Sequence, residues 1–238
     1  MNIRPATEQD LARIEQIINA VWQDNHGAIA YFTTRLPKPN SQNHVLVAEA
    51  QDSAGIVGCA TLGYGRLHNH HAYVSIHVLP EYQRRGIGTQ LFTAIQAISC
   101  QYQPLPFHTA TYDYCHDALD FWRTHGFVHE SKTFLPVLDV TTLDQAVFKR
   151  DLAIVQHAGI VIEPYSALAH DPQRDDQVAE LLWNAYARIH PESPPNPICY
   201  AERHELFLDD AMIAESMFIA HQHGQYRGVA SLRASDEP

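Results

Sequence analysis

The chain has 238 residues, of which 45% are hydrophobic, and its formal net charge is −11. This length is enough for one large domain or two small ones, and the hydrophobic content is ordinary for a soluble globular protein. The acidic balance argues against a nucleic-acid-binding surface, and no apolar run is long enough to span a bilayer.

The N-terminus and the cysteines bear on the cellular compartment. Residues 1–11 lack the apolar core of a signal peptide. The cysteines show neither CxxC pairing nor zinc-ligand spacing, which favours reduced thiols over disulfides. We therefore expect a cytoplasmic protein that has no nucleic acid and no membrane among its partners.

The first 140 residues carry the periodicities of a mixed α/β domain. Thr7 and Asp10 form a capping-box pattern, and apolar residues then recur on one helical face from Leu11 onward. The turn residues 52–55 join two strands into a hairpin. The elements predicted are strand 3–5, helices 11–21 and 26–32, strands 45–51, 56–64 and 73–79, helix 89–100, strand 107–111, helix 117–124 and an antiparallel pair of strands, 127–132 and 134–140.

Three histidines, His68, His70 and His71, cluster before the strand 73–79. They are either metal ligands or solvated side chains of a loop or an active-site rim. Because no second set of ligands stands at helical or knuckle spacing, we favour the second interpretation and expect no metal.

The segment 78–89, VLPEYQRRGIGT, lies between a predicted strand and a predicted helix. Glycines at such a junction let the backbone turn tightly, and free N–H groups at a helix start bind anions. Two arginines add positive charge, so the segment predicts a phosphate or pyrophosphate site. The alternative is a glycine-containing turn with solvated arginines. The segment is neither a Walker loop nor the dinucleotide fingerprint, because Leu91 stands where the third glycine would be.

The loop resembles the acetyl-coenzyme A loop of the GNAT acyltransferases, Gln/Arg-x-x-Gly-x-Gly/Ala, which here reads Gln83-Arg84-Arg85-Gly86-Ile87-Gly88. The lead-in Val78-x-Pro80-x-Tyr82 also matches that family. Further along, a weaker family signature is matched by Ala118, Trp122, Gly126 and Phe127, with Cys115 where Asn is usual. The resemblance implies an α/β fold with a mixed sheet, the GNAT acyl-CoA N-acyltransferase fold, over residues 1 to about 140.

The resemblance also implies where acetyl-CoA, the cosubstrate, is held. In GNAT proteins splayed strands expose backbone amides to the pantetheine and thioester, and the loop holds the phosphates. The residues expected to bind it are His77, Val78, Leu79, Gln83, Arg84, Arg85, Gly86, Ile87, Gly88, Thr89, Cys115 and Trp122.

The catalytic acid and base depart from the family pattern. At the positions where some relatives carry a base, this chain has Ala72 and Val74, so His71 and His77 are the nearest titratable candidates. The unperturbed pKa of histidine suits a base near neutrality. Many relatives protonate the leaving thiolate with a tyrosine, and Trp122 stands at that position. Either a nearby tyrosine is the acid or coenzyme A leaves as a thiolate unaided; the tyrosine candidates are Tyr112 and Tyr114.

The remaining residues echo the first half of the same fold. The predicted elements are helix 144–157, strand 160–164, helices 178–189 and 201–208, and the hairpin strands 217–222 and 226–233. The segment 228–232, GVASL, is similar to 58–62, GCATL. We therefore expect a GNAT domain at 1–140, a connecting helix at 141–158 and a partial GNAT-like unit at 159–238, in a tandem arrangement.

The second copy stops before its own phosphate loop, since the step from Gly58 to Gln83, taken from Gly228, passes the last residue, Pro238. Either the chain is truncated or the half-copy is completed by packing. Its last strand, 226–233, would expose an edge that invites pairing with the first domain or with a second protomer in a homodimer.

Two functions fit these residues. We predict an acetyl-CoA-dependent N-acetyltransferase that moves an acetyl group to a primary amine of a small molecule or peptide. The alternative is a non-catalytic module that binds acyl-CoA as a sensor or subunit.

Overall fold

The computed structural model describes residues 1–23, 25, 28, 29, 32, 43–51, 55–65, 67–102, 104–134, 139, 141–144, 146–191, 193–209 and 212–233. The chain forms two compact units, Met1–Tyr112 and Asp113–Asp236. The boundary that the sequence suggested near residue 140 lies inside the second unit. Among the described residues, no helix is both long enough and apolar enough to cross a membrane.

The first unit is built on a mixed five-stranded sheet in the order β1-β2-β3-β4-β5. All neighbours are antiparallel except β4 and β5, which are parallel. This confirms the predicted fold class. The elements are β1 (Asn2–Pro5), a 3-10 helix (Glu8–Asp10), α1 (Leu11–Trp22), β2 (His44–Glu49), β3 (Ile56–Tyr64), β4 (Ala72–Val78), a 3-10 helix (Pro80–Tyr82), α2 (Ile87–Ser99) and β5 (Phe107–His108).

The predicted capping box before α1 is confirmed. The carboxylate of Asp10 accepts a hydrogen bond from the Thr7 backbone N–H at 2.7 Å and from Arg4 Nη1 at 2.8 Å. These bonds hold the pKa of Asp10 well below its usual range. The first turn of the domain is thereby tied to β1, because Arg4 is a β1 residue.

Helices α1 and α2 pack on opposite faces of the sheet. A Cβ added at Gly58 would lie 3.4 Å from Leu91 Cδ1 of α2, whereas Ile14 and Ile18 of α1 line a space that also contacts Cys59. Neighbouring residues of a strand point to opposite faces, so both faces of β3 are covered. This explains why the β2 segment Val45–Ala48 is buried at every position.

The second unit contains a three-stranded antiparallel sheet, β6-β7-β8. Its buried core consists of Tyr165, Leu168, Val178, Met217 and Ile219. The elements are α3 (His116–Thr124), α4 (Ala146–His157), β6 (Val161–Pro164), a 3-10 helix (Tyr165–Leu168), α5 (Arg174–Ile189), α6 (Tyr200–Phe207), β7 (Met212–Gln222) and β8 (Gln225–Arg233).

Some predicted elements need correction or lie partly outside the described residues. The predicted strands 127–132 and 134–140 are wrong for residues 127–134 and 139, which form no strand; Val128 and Phe134 are 86% and 76% exposed, so the apolar alternation has no core to face. The predicted strand 107–111 shortens to Phe107–His108. Of the predicted helix 26–32, residues 28, 29 and 32 are helical, and the rest lies outside the described residues, as do 52–54 of the predicted turn.

Candidate active site

The loop between β4 and α2 turns through two residues with positive φ. Arg84 has φ 60° and Gly86 has φ 76°, and α2 begins at the next residue, Ile87. A Cβ at Gly86 would contact nothing within 4 Å, so it is the backbone conformation, rather than space, that favours glycine there. The turn therefore presents its backbone outward at the N-terminus of a 13-residue helix.

Cations and free amides meet at this helix start. The Arg85 guanidinium donates a hydrogen bond to the Glu81 carbonyl oxygen at 2.7 Å and lies 4.9 Å from the centre of the Tyr82 ring. Arg84 is exposed. The N–H groups of the first helical turn lack intrahelical acceptors and carry the positive end of the helix dipole. These residues form a concentrated anion site suited to phosphate groups.

Strands β4 and β5 separate soon after they pair. Their parallel ladder joins Ala72 to Phe107 and Tyr73 to His108, and the described residues 74–78 of β4 and 109–112 after β5 make no further ladder pairs with each other. A gap thus opens between the two strands toward the loop. The side chain of Gln83 lies at the loop end of this gap, where its Nε2 atom donates a hydrogen bond to the Val78 carbonyl oxygen at 3.0 Å.

The direction of each peptide group along β4 can be read from two hydrogen bonds. The N–H of Ala72 donates to the Pro106 carbonyl on the β5 side, and the N–H of Leu79 donates to the Val57 carbonyl on the β3 side. Because the direction alternates along a strand, Ile76 and Val78 direct their peptide groups into the gap. The expectation that the Leu79 amide faces a cofactor is therefore wrong; that N–H is already bonded within the sheet.

A cavity of about 480 Å³ lies beneath α1 and reaches both sides of the gap. Val74, Ser75 and His77 line it from β4, and Thr109 and Ala110 line it from the chain after β5. Its size falls within the range of small-molecule sites.

His77 is a buried titratable group at this cavity. It is 4% exposed, and its ring lies edge-on to Phe32 and Trp22, with centroids 4.7 and 6.2 Å away. Its Nδ1 atom has no hydrogen-bond partner among the described residues. Burial lowers the pKa of His77 to about 4. The expected unperturbed histidine pKa at this position is therefore wrong, and the imidazole is neutral at physiological pH.

The other catalytic candidates are dispersed. His71 precedes β4, and its ring centroid lies 5.6 Å from that of His108; it is not among the residues that line the cavity. Tyr112 belongs to the first unit and packs edge-on against Trp22 at 5.5 Å. Tyr114 belongs to the second unit and is 56% exposed.

Two residues expected to bind acetyl-CoA also belong to the second unit. Cys115 precedes α3, and Trp122 is buried within that helix, with its ring 4.7 Å from that of Phe127. Within the first unit, the side chain of Ile87 is buried in the core, so it offers a ligand its backbone N–H alone.

Sequence analysis missed a row of polar side chains on the α1 face of the sheet. Thr61 on β3 faces Ser75 on β4, and their hydroxyl oxygens are 2.7 Å apart. Tyr73 and His77 continue the row along β4. The sequence carries a signal for this row, because the apolar residues of β4 alternate with these polar ones. The apolar residues by themselves predict the strand but do not predict the row.

Possible metal ligands and the Cys59 thiol also bear on the chemistry of this site. The described residues contain no group of three or more His, Cys, Asp and Glu side chains that could hold a metal ion. Cys59 lines the cavity, and burial raises the pKa of its thiol to about 12, so it stays protonated.

Residues 41–129 match the family model described as an acetyltransferase (GNAT) domain. Over these residues the chain is similar to GNAT acetyltransferase domains. No curated protein matches the sequence. The match includes the gap between β4 and β5, the loop and the start of α2, so the candidate site lies within the matched residues.

Several solved structures are similar to part of this chain. The tetramutant of the BH1408 protein from Bacillus halodurans is 19% identical with a TM-score of 0.47, covering 58% of this chain and 100% of its own. The aminoglycoside 6′-N-acetyltransferase AAC(6′)-IG from Acinetobacter haemolyticus is 19% identical with a TM-score of 0.46, covering 59% and 99%.

A third match extends over 96% of this chain and so over both units. It is a GCN5-related glucosamine N-acetyltransferase region of a fungal multi-domain GH3 β-N-acetylglucosaminidase, 15% identical with a TM-score of 0.66. This chain covers 27% of that longer protein. At this identity the likeness shows the fold.

Proposed function

We propose that the protein is an N-acetyltransferase that uses acetyl-CoA and acetylates a primary amine of a small molecule or peptide. The observation that carries this proposal is the cavity that reaches the gap between β4 and β5. A donor in the gap and an acceptor in the cavity would meet beside Ile76 and Val78.

The residues present fit the donor. The loop at the start of α2 offers free N–H groups with Arg84 and Arg85 for phosphates, and the peptide groups directed into the gap can pair with an extended amide chain. Acetyl-CoA supplies an acyl group that is already activated as a thioester. The N–H of Val78 is placed to donate a hydrogen bond to a carbonyl oxygen that gains negative charge.

His77 is a weak base at neutral pH because burial depresses its pKa. We infer that it orients the acceptor through Nδ1, and that the amine reaches the site already deprotonated. The proton that the attacking nitrogen loses would pass to the sulfur of the departing coenzyme A, with Tyr112 as the candidate in this unit to donate to that sulfur. The weak base also favours the second function, an acyl-CoA-binding sensor or subunit.

Two experiments test this proposal. Calorimetry measures the binding of acetyl-CoA, and thiol release measures turnover with a panel of amine acceptors. The panel should include amino sugars and aminoglycosides, since structural relatives are described as acting on glucosamine and on aminoglycosides. Binding together with turnover supports the enzyme. Binding without turnover across the panel supports the sensor, and absence of binding overturns both.

A further inference from the structure

We propose that the cavity selects a hydroxylated acceptor with a single amino group and disfavours polycations. The identification of this cavity as the acceptor site rests on the proposed function. The hydrogen-bonding row on the sheet and the distribution of carboxylates in the first unit carry the proposal.

No carboxylate lines the cavity within the part of the chain that the structure describes. The sequence itself has no Asp or Glu in segments 25–48, 53–80 and 82–112, which supply nearly all of the cavity wall. A second ammonium group of an acceptor would therefore find no opposite charge in these segments. Burying such a charge without a partner costs several kcal/mol.

The acidic residues of the first unit that the structure describes are engaged or exposed elsewhere. Asp10 and Glu49 both pair with Arg4 on β1. Glu15 lies on the exposed side of α1, and Glu81 is exposed in the 3-10 turn before the loop. The described wall of the cavity thus carries hydroxyl groups and other polar groups but no carboxylate.

Hydroxyl groups of a ligand have matching partners in the row on β3 and β4. The Thr61–Ser75 pair uses one donor and one acceptor between its two hydroxyls, which leaves one donor and further lone pairs. His77 also lines the cavity, and its buried Nδ1 atom has no hydrogen-bond partner among the described residues. Such a buried atom costs free energy until a ligand pairs with it.

The neutral imidazole of His77 also affects which protonation state of the acceptor's amino group the cavity binds. The imidazole of His77 stays neutral, because its burial among Trp22 and Phe32 lowers its pKa to about 4. It neither repels an ammonium nor takes a proton from one at neutral pH. The cavity therefore binds the neutral amine best, and the apparent affinity should rise with pH until the amine of the acceptor is deprotonated.

Three six-membered-ring amines separate these effects: galactosamine has hydroxyls and one amine, cyclohexylamine has one amine and no hydroxyls, and 2-deoxystreptamine has hydroxyls and two amines. Their dissociation constants should be measured by ligand-observed NMR with the full chain, with and without CoA. We expect galactosamine to bind about tenfold tighter than either of the others, equivalent to about 1.4 kcal/mol. Equal or tighter binding of 2-deoxystreptamine or cyclohexylamine overturns the proposal, as does absence of binding by all three.

Two variants sharpen the test. Thr61→Val keeps the shape of the side chain and should weaken galactosamine about tenfold while leaving cyclohexylamine unchanged. Ser75→Asp places a carboxylate in the row and should shift the preference toward 2-deoxystreptamine. Unaltered selectivity in both variants, with thermal unfolding showing that they are folded, overturns the assignment of this row.

The two proposals fail separately. If acetyl-CoA does not bind but the amines bind in the expected order, the acetyltransferase proposal falls and the selectivity of the cavity stands. If acetyl-CoA binds and is turned over with diamines in preference to galactosamine, the function stands and this inference falls.

Discussion

The second unit, from β6 onward, repeats the order of elements that opens the first unit, and the two regions differ after the hairpin. The first unit begins with β1, a 3-10 helix and α1, whereas the second unit reaches β6, a 3-10 helix and α5 only after α3 and α4. In each region an antiparallel hairpin follows, and its first strand pairs with β1 or with β6. In the first unit β3 pairs onward with β4, and the gap and the loop come next. In the second unit β8 is the edge of the described sheet. The parts of the candidate site that follow the hairpin, namely the gap and the loop, therefore belong to β4 and the chain after it.

Burial differs between the two sheets because different numbers of their faces are covered. Helices cover both faces of the first sheet, and four consecutive residues of β2 are buried. In β7, Met217 and Ile219 are buried while Phe218 between them is 43% exposed. A sheet with one covered face alternates in this way, whereas a sheet covered on both faces reads as a continuous apolar run.

Charge also separates the two regions. Residues 1–112 contain seven Lys and Arg and seven Asp and Glu, whereas residues 113–238 contain nine and twenty. The net charge of −11 therefore arises entirely in the second region. A net charge averaged over the chain says nothing about the candidate site, whose surroundings are close to neutral.

The largest expected effect concerns the open edge of the second sheet. We propose that the unit is an incomplete GNAT-like copy, and we predict that a fragment of residues 159–238 shows no cooperative thermal unfolding as a monomer. Its three strands offer a small core, and β8 exposes unpaired N–H and C=O groups. Circular dichroism melting with size-exclusion chromatography checks this. A cooperative monomer would contradict it, while a dimer would indicate pairing through β8.

The next effect concerns the loop between β4 and α2, which has no counterpart among the described residues of the second unit. Gly86→Glu places a negative charge at the anion site and should weaken acetyl-CoA binding more than tenfold in calorimetry, or by over about 1.4 kcal/mol. Gly159→Glu is the matched control, because Gly159 also has positive φ and open space around its Cβ position. Equal losses in both variants would assign the effect to backbone strain, and unchanged affinity in Gly86→Glu would show that the loop is misassigned.

His77 should make the stability of the first unit sensitive to acid. Its folded-state pKa is about 4, below the ordinary value of 6.5, so the unfolded state takes up the proton first. The free energy of unfolding should fall by about 2 kcal/mol between pH 7 and pH 5 from this residue. Urea denaturation of wild type and His77→Gln measures the difference, with His71→Gln as the control. A pH dependence that persists unchanged in His77→Gln would contradict the burial of this imidazole.

The same two variants test the catalytic roles once an acceptor is found. If His77 orients the acceptor, His77→Gln should raise KM more than it lowers kcat, and the pH–rate profile should track the pKa of the amine. If His71→Gln instead removed the acidic limb of the pH–rate profile, His71 would be identified as the base.

The smallest expected effect concerns two arginine–aspartate contacts, one in each unit. Asp10 is bonded to Arg4 and largely buried, whereas Asp175, bonded to Arg174, is 44% exposed. We expect Asp10→Asn to lower the free energy of unfolding by about 1 kcal/mol at pH 7 and Asp175→Asn to lower it less. Because the folded-state pKa of Asp10 is depressed, the difference should shrink as the pH falls below about 4. Denaturant titrations at several pH values measure these changes. Equal changes in the free energy of unfolding for the two variants at every pH would contradict the prediction.

Local patterns were sufficient for most elements. The capping box at Thr7 and Asp10, the helix closed at Gly126 and the hairpin around Gly224 each depend on neighbours a few residues apart. The strands predicted beyond residue 126 failed because alternation predicts a strand where a partner strand and a core exist. Residues 127–134 face solvent instead.

The sequence by itself determined the loop between β4 and α2, since its glycines, arginines and flanking strand and helix are contiguous. Only the tertiary structure decided that β5 pairs for two residues, that the Leu79 amide is occupied, and that Trp22 and Phe32 enclose His77. These properties depend on segments far apart in the chain. Burial sets the pKa of His77, and burial is a property of the packed domain rather than of the residue.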